Sequence, residues 1–261
     1  MPKANIGDCE IYYEEHGKGE PLLLVPGLGG AAAYWNPNLP ALSAKYRVIV
    51  HDHRGAGSST HSKIRYSVDQ MTDDLVKLMD HLKIERAHLV GHSTGGAIGQ
   101  TLAVRAPERL KKMVLFATWT HPDAFFKRLF SVRKDLLTKV GKEAYVRGAT
   151  LFLYPPWWIH ANEKMVEERE ALTIAKFPPV EVVASRIDAI VAFDRRAEIG
   201  RIRTPTLVLC AKDDVITPAY FSEDLAKKIP GAKLQILEGG GHCASETVAD
   251  EFNRAVLDFL K

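Results

Sequence analysis

Gly91-His92-Ser93-Thr94-Gly95-Gly96 constrains this chain more than any other stretch. Ala87-His88-Leu89-Val90 before it reads as a buried strand, and Ala97 to Ala103 after it reads as the start of a helix. A G-x-S-x-G string in that position is a nucleophile elbow. The turn is so tight that its central residue takes a strained conformation, and Gly91 and Gly95 remove the side chains that would collide there. The Ser93 hydroxyl is thereby lifted over the top of a sheet, at the positive end of a helix. A glycine-rich turn carrying a surface serine is the plain alternative. The strand–turn–helix context favours the elbow.

The rest of the chain repeats that strand-to-helix rhythm. Residues 5–16 alternate and predict a strand or hairpin at a sheet edge. Leu22-Leu23-Leu24-Val25, before Pro26-Gly27, reads as a strand buried on both faces. A helix is expected over Tyr34 to Ala44, a strand over Tyr46 to Val50, and a helix capped by Ser67 or Asp69 that runs to Leu82. The elbow strand, a helix over 94–106 and the strand Met113 to Ala117 follow. From Thr118 to Arg196 the rhythm stops, and the segment is helical, aromatic, and divided by Pro155-Pro156 and Pro178-Pro179. It resumes with the strand Thr206 to Ala211, a helix near 219–229, the strand Lys233 to Leu237 and a last helix over 247–260. Such alternation predicts an α/β chain with a mostly parallel, eight-stranded sheet flanked by helices. A core of residues 1–117 and 197–261 then carries a helical cap, residues 118–196, between the sixth and seventh strands. That position lies over the carboxyl ends of the strands, where open α/β sheets bind ligands.

Composition narrows the function classes. The chain has 261 residues, 46% of them apolar, and a net charge of +3, too weak to point to nucleic acid. No run approaches the ~18 apolar residues of a membrane span, and Met1 to Asn5 opens no signal peptide, so the expected partner is a small molecule and not a membrane. Cys9, Cys210 and Cys243 form neither a disulfide framework nor a zinc pattern, which predicts a cytoplasmic protein. No motif for a metal, nucleotide or flavin appears, so no cofactor is expected. The oligomeric state is not encoded legibly, and a homodimer is admitted.

Ordered motifs identify a family. Pro26-Gly27-Leu28-Gly29-Gly30 stands where an H-G-x-G-G loop follows the third strand, and Asp52 to Ser59 matches D-x-R-G-x-G-x-S after the fourth. The elbow follows, then Ala211 to Pro218, matching G-x-x-D-x-x-x-P with Ala for the first Gly, and finally Gly241-His242. Over essentially its whole length the chain resembles the α/β-hydrolase superfamily. The resemblance implies a catalytic set in the order Ser, acid, His. A serine hydroxyl needs a base within reach, and an imidazole serves because it titrates near the working pH. A buried carboxylate then holds the correct tautomer. Ser93 is the expected nucleophile and His242 the base. Asp213 and Asp214 both occupy the acid loop; the family pattern places the acid four residues before the proline, which selects Asp214 and leaves Asp213 to face solvent or cap the turn.

The oxyanion donors implied are the backbone N–H groups of Thr94 and Leu28, with Gly27 allowing close backbone approach to substrate. Pro26 stands in place of the family's frequent His. Trp119, directly after the sixth strand, is expected near the substrate, with Trp157 and Trp158 in the roof. His92 reads as structural and Cys243 as a packed bystander, while Lys127, Arg128, Arg133 and Lys134 read as a solvated helix face rather than a carboxylate clamp.

Two subfamilies are similar beyond these motifs. The run Leu151 to Trp158, with Ala171 to Phe177, resembles the aminoacrylate hydrolases of pyrimidine breakdown, some of which lack the elbow serine present here. The run Asp188 to Asp194 before Ile202-Arg203-Thr204-Pro205 resembles the 3-oxoadipate enol-lactonases. The leading expectation is a serine hydrolase that cleaves small carboxylic esters, lactones or related acyl bonds through an acyl-enzyme. An aminoacrylate-type enamine or carbamate C–N hydrolase is the second. A hydrolase-fold receptor for a small ligand, with slow turnover, is the third.

Overall fold

The structure is a computed structural model and describes residues 2–261. Its strands are β1 (Lys3–Asn5), β2 (Glu10–His16), β3 (Pro21–Val25), β4 (Arg47–His51), β5 (Ala87–His92), β6 (Leu110–Phe116), β7 (Thr206–Ala211) and β8 (Lys233–Leu237). They form one sheet in the order β1-β2-β4-β3-β5-β6-β7-β8. The β1 and β2 pairings are antiparallel, and every pairing from β4 to β8 is parallel. The unbroken apolar runs occupy the middle of the sheet: every residue of β5 and β7 is buried. Helices on both sides exclude water from these strands, which is why they read as continuous rather than alternating. On one face Leu23, Leu89 and Leu115 pack under the helices Val68–His81 and Thr94–Arg105. On the other, Leu24, Val90 and Phe116 meet Trp35 and Phe252.

Five α-helices lie between β6 and β7: Ala124–Asp135, Lys142–Leu153, Pro156–Ala161, Glu163–Ala175 and Val180–Val191. Phe126, Phe130 and Ile187 from this insertion join the same hydrophobic cluster as the Val68–His81 helix, so the insertion is packed onto the sheet's helical layer.

One expected helix is broken. In place of one helix from Tyr34 to Ala44 there is a 3-10 turn, Ala32–Trp35, and a short helix, Leu39–Ser43. Pro40 fits only the first turn of the second piece. The break frees Asn38, whose amide donates to the Ser245 carbonyl at 2.8 Å and to Asn253 Oδ1 at 2.9 Å. The last helix, Ala249–Leu260, forms close to where it is expected, and a separate short helix, Ala244–Thr247, precedes it. There the Thr247 hydroxyl turns back to donate to the Gly240 carbonyl at 2.6 Å. Asn38 and Thr247 thus both tie into the segment that follows β8.

The start of the Thr94–Arg105 helix is wedged against the end of β3. A methyl added to Gly95 would lie 2.1 Å from the Val25 carbonyl oxygen. Neither backbone can yield without moving a central strand. Gly95→Ala is expected to destabilise the protein by about 3 kcal/mol or more, read as a lowered urea midpoint; an unchanged midpoint would show that the junction can relax.

Candidate active site

Ser93 links β5 to the following helix with φ 53° and ψ −112°, in the region that side chains other than glycine rarely adopt. Its backbone is fixed from β6: Ser93 N–H donates to the Phe116 carbonyl at 2.8 Å, and Thr118 Oγ1 donates to the Ser93 carbonyl at 2.7 Å. A methyl on Gly91 would lie 2.3 Å from the Gly95 carbonyl oxygen. The strained conformation therefore persists because its neighbours leave it no alternative.

The end of β7 delivers Asp214. Oδ1 accepts from the N–H groups of Ile216 at 2.8 Å and Thr217 at 3.0 Å, and Oδ2 accepts from Thr217 Oγ1 at 2.8 Å. His242, in the loop after β8, donates from Nδ1 to Asp214 Oδ2 at 2.9 Å and lies 3.1 Å from Oδ1. Both side chains are buried. Burial pushes the Asp214 carboxyl up, but the His242 ring and the Thr217 donors outweigh it and hold it below the usual carboxylate range. Its charged form thus stabilises the fold above the unfolded carboxylate pKa, and that contribution disappears as the pH falls through the lowered folded value. With Nδ1 donating, the tautomer leaves the Nε2 lone pair free to accept a proton.

Two contacts bring this pair beside the elbow. His92 donates from Nε2 to the His242 carbonyl at 3.0 Å, with its ring stacked on Tyr34 at a centroid distance of 4.5 Å. Burial holds His92 well below the ordinary histidine pKa, so the ring is neutral. Gly27 closes the other side, where an added methyl would lie 3.2 Å from Ser93 Cβ. Gly30 N–H donates to the Gly27 carbonyl at 3.0 Å, and this turn carries a half-buried Leu28. Thr94 is fully buried at the first position of the elbow helix, where a backbone N–H has no intrahelical partner.

Asp213, exposed as expected, also anchors the loop that carries His242. Its carboxylate accepts from Gly241 N–H at 2.8 Å and from Gly240 N–H at 3.2 Å. Two neighbouring carboxylates therefore hold one loop, Asp213 by its backbone and Asp214 by its imidazole. The Asp-x-x-Thr spacing of 214 and 217 is the local signal for the carboxylate's turn donors. The tie from Asp213 had no comparable signal, because it spans 28 residues.

Of the aromatic residues singled out from sequence, Trp119 is fully buried against Phe126 at 4.7 Å, with its indole N–H unpartnered. Trp158 is buried in a stack with Tyr154 at 4.5 Å, while Trp157 is 53% exposed. The expected solvated face of the first inserted helix needs correction at one residue. Lys127 and Arg128 are exposed and Lys134 pairs with Asp188, but Arg133 is buried, its guanidinium 5.0 Å from the Phe130 ring centre. Cys243 is buried, and burial pushes its thiol up. A cleft of about 750 Å³ opens between the start of the Val68–His81 helix and the Val180–Val191 helix, floored by Ala189 and Phe193; Ser93, Asp214 and His242 do not line it. Among the described residues no three His, Cys, Asp or Glu side chains group to hold a metal, and no helix is long and apolar enough to cross a membrane.

A family model described as the alpha/beta hydrolase fold matches residues 20–140 and 169–247. The chain belongs to the α/β-hydrolase family. Within it, the chain is 43% identical over 259 residues to a protein of Azorhizobium caulinodans named "Putative carbamate hydrolase RutD", covering 99% of this chain and 98% of that one. A protein of the same name from Stutzerimonas stutzeri is 42% identical over 255 residues, covering 96% of each. Among solved structures, the enol-lactonase of Burkholderia xenovorans LB400 superposes with a TM-score of 0.92 at 28% identity, covering 99% of both chains.

The two aspartates are separable by experiment. Asp214→Asn is expected to lower kcat on the order of 10³- to 10⁴-fold, because the amide no longer favours the required imidazole tautomer. Asp213→Asn should lower stability by about 1 kcal/mol and change kcat by less than about tenfold. Steady-state kinetics and urea unfolding check both, and a reversed order would exchange the roles.

Proposed function

We propose that this hydrolase acts as a serine enzyme on a small carboxylic ester, lactone or related acyl bond, with Ser93, His242 and Asp214 as its catalytic set. One observation carries the reading. The buried Asp214–His242 pair, 2.9 Å apart, sits in a loop that His92 holds beside the strained Ser93.

In this reading Ser93 Oγ attacks the substrate carbonyl carbon while its proton passes to His242 Nε2. The N–H groups of Thr94 and Leu28 bind the oxygen that becomes negative, and each such donor is worth on the order of 10²- to 10³-fold in rate. The tetrahedral intermediate collapses, and the leaving group departs with the proton from His242. Water, deprotonated by the same imidazole, then releases the acyl group. Asp214 remains ionised and stabilises the imidazolium. The inserted helices, residues 118–196, serve as a cap that excludes water, with Gly27 on the substrate side; Trp119, packed away against Phe126, supports the cap from within rather than facing the substrate.

A carbamate-type C–N bond is the second reading, favoured by whole-length relatives at 40–43% identity that carry that name. The path is the same, except that the leaving group is an amine, which must take its proton from His242 to depart. Hydrolases among these relatives also favour turnover over the receptor reading.

A panel of short-chain nitrophenyl esters, lactones and carbamates, tested on the parent and Ser93→Ala, decides the matter. The parent should turn over at least one class, and Ser93→Ala should lose roughly 10³-fold or more. Ester hydrolysis by Ser93→Ala as fast as the parent's would overturn the mechanism. A parent active only on carbamates would select the second reading.

A further inference from the structure

Arg186, on the inserted helix Val180–Val191, is 1% exposed and pairs with no carboxylate among the described residues. Its guanidinium donates to backbone instead: Nη1 to the Arg54 carbonyl at 2.7 Å and Nη2 to the Leu28 carbonyl at 2.9 Å. Nη2 also lies 3.1 Å from His53 Nδ1, which accepts because burial holds that ring neutral. A buried cation without a counter-ion is expensive to keep. Burial pulls the Arg186 pKa down only to about 10, so the charge persists at neutral pH. The surroundings leave room for it: a methyl on Gly30, at φ +71°, would lie 2.8 Å from Nη2.

The contact falls on the residue that matters for the oxyanion. Leu28 is flanked by two peptide planes. The Gly27 carbonyl, in the plane that also carries Leu28 N–H, accepts from Gly30 N–H at 3.0 Å. The Leu28 carbonyl, in the next plane, accepts from Arg186. Neither plane can flip without losing a hydrogen bond: the plane that carries Leu28 N–H is held locally, and the plane that follows it, across the Leu28 Cα, is held from 158 residues away.

We infer that Arg186 is a positioning residue for the oxyanion-binding loop, holding the Leu28 peptide so that its N–H faces the reacting carbonyl oxygen only while the Val180–Val191 helix is seated. The inference rests on the serine-hydrolase reading above. Arg186 touches no reacting atom and acts through Leu28. A lysine at 186 presents a point donor and cannot span two carbonyls as the planar guanidinium does.

Arg186→Met and Arg186→Lys test it, using the full chain and an ester from the panel. Both should lower kcat by about 10- to 100-fold with KM within about threefold. The affinity for a trifluoromethyl ketone, whose serine adduct carries an oxyanion, should fall in parallel with kcat. A merely structural role would lower thermal stability and the folded fraction but leave the ketone affinity of the folded protein unchanged, and that result overturns the inference. If Arg186→Met does not fold, Arg186→Lys carries the same comparison. A Ser93→Ala protein that stays active defeats the hydrolase reading itself. An inactive Ser93→Ala beside Arg186 variants with parental kcat and ketone affinity defeats only the role of Arg186.

Discussion

A serine held at φ 53° is the constraint on which the rest of this molecule depends. Such a backbone costs on the order of 1–3 kcal/mol, and the fold must hold it. The donor from Ser93 N–H to Phe116, the Thr118 hydroxyl on the Ser93 carbonyl and the bare faces of Gly91 and Gly95 all come from the central strands or their edges. The parallel order β3-β5-β6-β7 is therefore more than a scaffold. It places the ends of three strands where they can fix one residue between them.

Once Ser93 is fixed, the other groups need only be brought to it by short loops at the same sheet edge. Asp213 and Asp214 show how environment divides two identical side chains. Asp214 is enclosed by Thr217 donors and the imidazole, so it stays ionised and orients a ring. Asp213, one peptide away and in solvent, holds the Gly240-Gly241 backbone that carries that ring. The glycines of that loop make the approach tight: a methyl on Gly241 would sit 3.0 Å from Pro155 Cδ of the insertion.

Much of this was legible in the sequence because it is local. The elbow, the buried strands and the Asp-x-x-Thr turn each depend on residues within a few positions of one another. The helix break was not legible: Asn38, just before the second piece, sends its side-chain amide to Ser245 and Asn253, more than 200 residues away. Two of the buried arginines, Arg133 and Arg186, stand between these cases. Arg133 follows Phe126 and Phe130 and precedes Leu137 at helical spacing, and Arg186 shares a face with Val182, Ala189 and Ile190. Their spacing sets both on apolar faces, whereas reading Arg133 as part of a charge run hid its burial. A cation on the apolar stripe of an amphipathic helix carries more information than one in a cluster, because burying it needs a specific partner.

Those partners change what the insertion is for. At one end Arg186 grips Leu28 and Arg54 carbonyls after β3 and β4. At the other, the Leu153 carbonyl accepts from Cys243 N–H at 3.2 Å, and Arg169 pairs with Glu246 at 2.7 Å, both just after His242. The inserted helices thus hold both the loop that would receive negative charge and the loop that would move the proton. Shape variation in such a segment would also reach the loops beneath it. A substitution that shifts the Val180–Val191 helix by even half an ångström would move Arg186 relative to Leu28, and hydrogen bonds at 2.9 Å weaken over that distance. In the proposed reading the insertion and the catalytic geometry would be mechanically linked, and the link would run through backbone carbonyls.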